Sequence, residues 1–325
     1  MACKVLSEFD LIARYFTRPA RNAILGVGDD AALLQPSPGM VLAVTADMLV
    51  VGRHFFPDTD PGWLGHKSLA VNLSDLAAMG ARPRWALLSI ALPEINDAWL
   101  AAFSGGLFGL ADQYGVELVG GDTTRGPLNI SLTLLGEVAS GRALRRDGAR
   151  LDDDIWVSGE LGGAALGLLH ARGILRLDGG QAEQCCRRLH QPEPRVGLGR
   201  ELVGLAHAAI DISDGLVADL GHMVARSQVG ARIELDRLPM EPALHDFPDR
   251  KVDCALAGGD DYELCFTAPP TARQAVLAAG QNAGVAVNRI GKIDAAQGVR
   301  VVRADGQEIH VERTGFDHFV DPGDA

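Results

Sequence analysis

Basic residues are in short supply: 30 Lys and Arg stand against 42 Asp and Glu in 325 residues, a formal net charge of −12. A nucleic-acid surface needs a basic patch or stripe, so that class of partner is not expected. Any phosphate ligand has to be met locally, by metal ions, backbone N–H groups or a few cations. Cysteine is scarce too. Cys3, Cys185, Cys186, Cys254 and Cys265 are five, an odd number with no CxxC spacing, which points to neither a disulfide framework nor a zinc site. No apolar run reaches the roughly 18 residues of a membrane span. The opening MACKVLSEFDLIARYF carries acidic residues and no long apolar core, unlike a signal or transit peptide. The expectation is a cytoplasmic protein that engages neither membrane nor nucleic acid. Familiar catalytic kits are missing as well: there is no HExxH, no GxSxG and no GxxxxGK loop, since in GWLGHKS Lys67 follows His66 and not glycine.

What is present is a soluble, globular composition, 47% hydrophobic and 22% charged, long enough for about two domains. The central stretch is Lys67 to Ala81, KSLAVNLSDLAAMGA. It sets Asn72 and Asp75 three apart on one face of an otherwise small and apolar helix. A carboxylate among Leu73, Leu76 and Ala77 is costly to bury unless a cation or several donors meet it.

Along the chain, Ser7 is placed as N-cap of a helix through Phe16, with Asp10 as the capping-box acid. Strands are expected at Val41 to Thr45, ending on Asp47, at Trp85 to Leu92, at Val116 to Val119 and at Ile130 to Val138; a helix is expected from Asp97 toward Tyr114. The polar run from Ser140 to Asp154 reads as a boundary between domains 1–139 and 149–325. Beyond it come a strand at Ile155 to Ser158 and the turn GELGGAALGLL, which could cradle a phosphate but lacks the full dinucleotide fingerprint and suits tight strand-to-helix packing better. A helix at Gly197 to His207, a strand into Asp211, a helix after IDISDGL, a strand at Ala231 to Leu235 and a hairpin within Val299 to Val311 follow. No tandem period is present, but ELVGGD and ALAGGD echo each other as an apolar strand, two glycines and an aspartate.

That echo belongs to a wider pattern in which turns deliver aspartates: Asp29 and Asp30, Asp47, Asp122, Asp211 and Asp214, Asp260 and Asp261, with Asp75 on its helix. Any one of these is most simply a turn former or a helix cap. Together they match what a hard divalent cation and a polyphosphate require, since Mg²⁺ takes carboxylate, water and phosphate oxygens. His54 lies beside the strand ending at Asp47. Arg145 and Arg146 sit at the boundary, either reaching a phosphate or forming a solvated charge run.

Taken in order, GVGDDAALL, TADMLVVGRHF, KSLAVNLSDLAAMGA, GGDTTRGPL, GRALRRDGA, IDISDGL, GGDDYELCF and GFDHF resemble the motif series of the thiamine-monophosphate kinase family, within the superfamily of aminoimidazole ribonucleotide synthetase. The resemblance runs from Ser7 to Phe319. It implies an α+β, two-domain synthetase-like fold: an N-terminal half-barrel domain that binds ATP and Mg²⁺ and dimerises, and a C-terminal α/β domain completing the active site. It also implies Mg²⁺-dependent transfer of the γ-phosphoryl of ATP to thiamine monophosphate in a homodimer, with several ions. Asp30, Thr45, Asp47, Asp75, Asp122, Asp211 and Asp214 would hold metal. Gly121, Asp122, Arg146 and Ser213 would contact nucleotide, and His54, Asp260 and Phe316 would line the thiamine phosphate pocket. An acceptor phosphate is already ionised near pH 7, so such a site needs no strong general base. Charge neutralisation through Asp75, Asp122 and Asp214 with in-line positioning suffices.

Two positions depart from the family pattern: Ala46 replaces a common hydroxyl residue, and Asp260 replaces the usual Glu, one methylene shorter. Within the superfamily, a selenophosphate synthetase would be expected to carry a reactive Cys in a glycine-rich loop, and Cys3 lies outside any such loop. A hydrogenase-maturation dehydratase would be expected to end in Cys, where this sequence reads Asp324, Ala325. A non-catalytic thiamine-phosphate or nucleotide-binding protein, which Ala46 and Asp260 would allow, is disfavoured by the retained aspartates.

Overall fold

The computed structural model describes residues 7–311 and 315–316. The chain divides into two compact units, 1–76 with 81–141, and 77–80 with 142–325.

In the first unit, Ser7 and Asp10 form the expected capping box at the start of α1 (Glu8–Leu11). The helix does not continue to Phe16 as an α-helix. It widens into a π turn over Ile12–Phe16 that buries Tyr15 and Phe16 and lets the Tyr15 hydroxyl donate to Asp97 at 3.0 Å. Next come β1 (Met40–Val50), α2 (Pro61–Ala78), β2 (Arg82–Leu92), α3 (Asp97–Tyr114), β3 (Glu117–Arg125) and β4 (Asn129–Ala139). The four strands form one sheet in the order β1-β4-β2-β3. β1 and β3 run past the turns expected at Asp47 and GGDTTRG, so Asp47 and Asp122 stand inside strands. In β1, Thr45, Asp47 and Leu49 are at least partly covered while Val44, Ala46 and Met48 are open, the alternation of a sheet packed on one face. Helices α2 and α3 approach closely: a Cβ on Gly65 would lie 2.0 Å from the Phe103 carbonyl oxygen, so only glycine fits. Trp85, Phe103, Leu73, Leu132 and Leu134 fill this core.

The second unit comprises β5 (Asp154–Ser158), α4 (Gly163–Ala171), α5 (Gly179–His190), α6 (Val196–Glu201), β6 (Ala208–Asp211), α7 (Leu216–Ser227), β7 (Gly230–Glu234), α8 (Pro248–Ala257), β8 (Leu264–Ala268), α9 (Arg273–Ala283), β9 (Val287–Asp294), β10 (Gly298–Val302) and β11 (Glu308–Ile309). Among the described residues its strands are ordered β11-β10-β7-β9-β5-β8-β6. β10 and β11 pair antiparallel, as the hairpin expectation required. Two expectations fail. The helix from Gly197 to His207 stops at Glu201, where bonding tightens to three-residue spacing, Leu205 N–H donating to Leu202. ALAGGD does not echo ELVGGD, because its CALA is the last turn of helix α8 and not a strand. Four residues of Ala, Cys and Leu carry no period that separates the two. At the start of β5, Asp154 is wholly buried and meets Arg273 at 2.6 Å and Arg289 at 3.3 Å. Burial works to raise its carboxyl, but the two guanidiniums outweigh it and hold Asp154 below the usual range.

Candidate active site

In the first unit, Thr45 and Asp47 project from the packed side of β1 and Asp75 from the last turn of α2. The Thr45 hydroxyl donates to Asp75 Oδ2. Asp47 is pushed up to about 7, first by burial and then by the charge of Asp75 and a hydrogen bond shared with it. Two carboxyls in one half-dry place suit a shared proton or a cation. Asn72, one turn before Asp75, is fully buried; its Nδ2 donates to the Ser68 carbonyl at 3.2 Å, and Oδ1 has no hydrogen-bond partner.

A cavity of about 990 Å³ is lined by Asp29, Asp30, Gly121, Asp122 and Ser89, among others. Asp122 is paired with Ser89, whose row continues through Ser131 to Met48. Asp122 is therefore one step out of phase with Asp47, whose row runs through Leu132. Gly121 lies at φ +145°, and a Cβ there would be 1.8 Å from the Leu88 carbonyl oxygen, so no other residue can bring β3 this close to β2. The chain leading to Asp29 is clamped by Glu117, whose carboxylate accepts the backbone N–H groups of Arg21, Asn22 and Ala23 at 2.9, 2.8 and 3.1 Å. His54 Nδ1 accepts the Val50 N–H at 3.0 Å. In the neutral ring this leaves Nε2 as the donor.

In the second unit, β6 delivers buried Asp211 and then the loop Ile212–Gly215. The GGDD turn crosses that loop backbone to backbone. Asp260 N–H donates to the Ser213 carbonyl and Tyr262 N–H to the Ile212 carbonyl, both at 2.8 Å. Phe316 N–H donates to the Asp214 carbonyl at 3.0 Å. Asp260 and Tyr262 both sit at positive φ, +58° and +50°, strain of the kind that concentrates at functional sites. The Tyr262 hydroxyl donates to Asp260 Oδ1 at 3.1 Å. Arg146 is exposed, its carbonyl accepting the Ser227 hydroxyl at 2.9 Å. Its neighbour Arg145 pairs with Asp147 at 2.5 Å in the open, which fits the solvated charge run.

Thus Thr45, Asp47 and Asp75 stand together. So do Asp30, Gly121 and Asp122, and so do Ser213, Asp214, Asp260 and Phe316. Among the described residues no group of three or more Asp, Glu, His or Cys is gathered tightly enough to hold a metal ion. Three structural carboxylates escaped sequence reasoning. Glu117 clamps the loop at 21–23. Buried Glu263 is gripped by Arg195 at 2.7 and 2.5 Å. Asp219 accepts the N–H groups of Ser213, Asp214 and Gly215. Burial, then the charge of Asp214, raises Asp219 to about 7 against those three donors. The one available signal for Asp219 was an acid in the first turn of a helix that follows a glycine loop.

Residues 28–138 match the family of AIR synthase related protein, N-terminal domain, and residues 151–304 its C-terminal domain. Fold and site thus define an AIR synthase related protein with an α+β, two-domain architecture. The thiamine-monophosphate kinase of Escherichia coli (strain K12) is 46% identical over 329 residues, covering 99% of this chain and 100% of that protein. The crystal structure of thiamine-monophosphate kinase from Stenotrophomonas maltophilia K279a superposes with a TM-score of 0.83 at 50% identity, covering 92% of this chain and 95% of that one. AaThiL complexed with AMPPCP and TMP gives a TM-score of 0.76 at 32% identity over 88% and 89% of the two chains. The chain belongs to the thiamine-monophosphate kinase family.

Proposed function

We propose that this chain transfers the γ-phosphoryl group of ATP to the phosphate of thiamine monophosphate, giving thiamine diphosphate and ADP. The observation that carries the reading is full-length kinship at 46% identity with a thiamine-monophosphate kinase. The AaThiL complex with AMPPCP and TMP, a 32% identical fold, supports a nucleotide and an acceptor phosphate as the two ligands. Residues 1–139 take the ATP, Mg²⁺ and dimerisation roles, and 149–325 supply the remaining site residues.

Asp30, Thr45, Asp47, Asp75, Asp122, Asp211 and Asp214 are assigned to Mg²⁺. The fit rests on the donor set: Thr45 and Asp47 on the packed side of β1 and Asp75, which accepts the Thr45 hydroxyl, offer the hard oxygen ligands that Mg²⁺ takes. When bound, Mg²⁺ neutralises polyphosphate charge. Gly121 and Asp122, with Arg146 and Ser213, are assigned to nucleotide. Gly121 and Asp122 both line the 990 Å³ cavity, which supports their assignment. His54 is assigned to the substrate, and Asp260 and Phe316 flank its cationic thiazolium, Phe316 through cation–π attraction of about 0.5–2 kcal/mol. No residue is assigned as general base, because the acceptor phosphate is ionised already and in-line positioning carries the step.

A homodimer is assigned as well; supporting it is β1, an edge strand with Val44 60% and Met48 54% exposed, a face that a second copy should cover. Among the described residues no helix is long and apolar enough to cross a membrane, and a cytoplasmic location is assigned. Incubation with ATP, Mg²⁺ and thiamine monophosphate, with chromatography for thiamine diphosphate, tests the reading. Absence of that product from folded protein overturns it.

A further inference from the structure

The Ile212–Gly215 loop has its backbone engaged on both sides. On the N–H side, Ser213, Asp214 and Gly215 donate at 3.0, 3.1 and 3.1 Å to a single oxygen, Asp219 Oδ2. On the carbonyl side, Ile212, Ser213 and Asp214 accept from Tyr262, Asp260 and Phe316. Asp219 itself lies in the first turn of α7 and is only 3% exposed. Successive N–H groups converging on one point form the sort of nest that ordinarily receives a phosphate oxygen. Here a carboxylate of the chain occupies it, so these amides are not available to a nucleotide.

We propose that Asp219 is a positioning residue that locks this loop and thereby couples the nucleotide-side Ser213 and Asp214 to the acceptor-side Asp260 and Phe316. The proposal rests on the assignment of Ser213 to nucleotide, of Asp214 to the Mg²⁺ that accompanies it, and of Asp260 and Phe316 to thiamine monophosphate. A peptide plane cannot tilt at its N–H end without moving its carbonyl. Releasing the three amides therefore shifts the carbonyls that seat Asp260 and Phe316. Loss of Asp219 should consequently weaken both substrates together, whereas a residue touching one substrate weakens that one alone.

The test uses the full chain with Asp219→Asn and Asp219→Ala. The amide of Asn retains an acceptor oxygen of lower charge; Ala retains none. KM for ATP and for thiamine monophosphate should rise in parallel, about threefold in the Asn variant and about tenfold or more in the Ala variant. Hydrogen exchange should quicken in the same order in peptides covering 211–216 and 259–262. Unchanged KM values in a folded Asp219→Ala protein, or a rise confined to one substrate in either variant, would overturn the coupling. If Asp219→Ala does not fold, the parallel shift in Asp219→Asn decides. The exchange measurement needs no turnover: quickening at 211–216 without quickening at 259–262 refutes the coupling even if the kinase reading itself fails.

Discussion

Asp47 and Asp75 share a hydrogen bond on the packed side of the first sheet, with the Thr45 hydroxyl also donating to Asp75. Burial and the neighbouring carboxyl lift Asp47 from 3.8 to about 7. A carboxyl with a higher pKa in the folded state binds more protons there. Its stabilising contribution is full below about 4 and is lost as pH rises through 7. Metal-free protein should therefore show a Tm component that falls between pH 5 and pH 8. A cation held by the pair favours the ionised form, so the Tm increment from Mg²⁺ should be larger at pH 8 than at pH 6, and Asp47→Asn should flatten both trends. Thermal melts in EDTA and in Mg²⁺ at the two pH values measure this; an increment independent of pH would remove the pair from the metal assignment.

Asp75 offers the sharper kinetic test. Asp75→Asn keeps the shape of the helix face and the Thr45 contact while removing a charge at the centre of the proposed metal set. The kcat should fall by about 10²–10³-fold, the scale on which loss of one preorganised electrostatic contact acts. Far-ultraviolet circular dichroism should remain unchanged, and near-normal turnover in the folded variant would sink the assignment.

How much of this was legible beforehand depended on whether the cause was local. The Ser7–Asp10 capping box and the polar face of Asn72 and Asp75 in α2 were read correctly, because each is written within one or two turns of chain. Asp47 was expected to end a strand yet lies inside β1, since only pairing with Leu132 on β4 shows that the strand continues. The helical CALA before the GGDD turn deceived for a related reason, being too short to reveal a period. Glu117 and Asp219 were invisible as clamps. Glu117 acts on amides 94 to 96 residues away, and Asp219 on amides whose convergence is a property of the folded loop.

Glu117 can be tested directly. It gathers three backbone N–H groups at 21–23, just before the segment that brings Asp29 and Asp30 to the 990 Å³ cavity. Glu117→Ala leaves those amides without their acceptor, a loss of about 1–3 kcal/mol in local stability. Exchange at 21–30 should accelerate, and kcat/KM for ATP should fall about tenfold. Unaltered exchange in that segment would show that the clamp is dispensable.

The open face of β1 predicts how assembly can be broken. Val44→Asp with Met48→Glu places two charges on the exposed apolar side of an edge strand, where a partner would have to bury them unpaired. Light scattering at micromolar concentration should give about twice 34.4 kDa for the parent chain and about half that for the double variant. A parent chain that is monomeric and fully active would refute the dimer.

Asp260 allows the substrate role to be separated from the turn. Its φ of +58° lies in the left-handed region, which Asp tolerates better than most residues and glycine tolerates best. Its N–H is committed to the Ser213 carbonyl at 2.8 Å, so the backbone bond persists whatever the side chain. Asp260→Gly therefore deletes the carboxylate, with its Tyr262 hydrogen bond, and eases the backbone by about 1 kcal/mol. If the carboxylate contacts thiamine monophosphate, KM for that substrate should rise severalfold with kcat and the KM for ATP nearly unchanged, the mark of a contact made equally in ground and transition states. Asp260→Glu restores the methylene usual in the family and should lower the same KM, at some cost in Tm because a longer side chain is less at home at this φ. A carboxylate serving the turn alone would instead leave all three KM values equal and move only the melting curves. Steady-state kinetics with both substrates, read beside the melts, decide between the two.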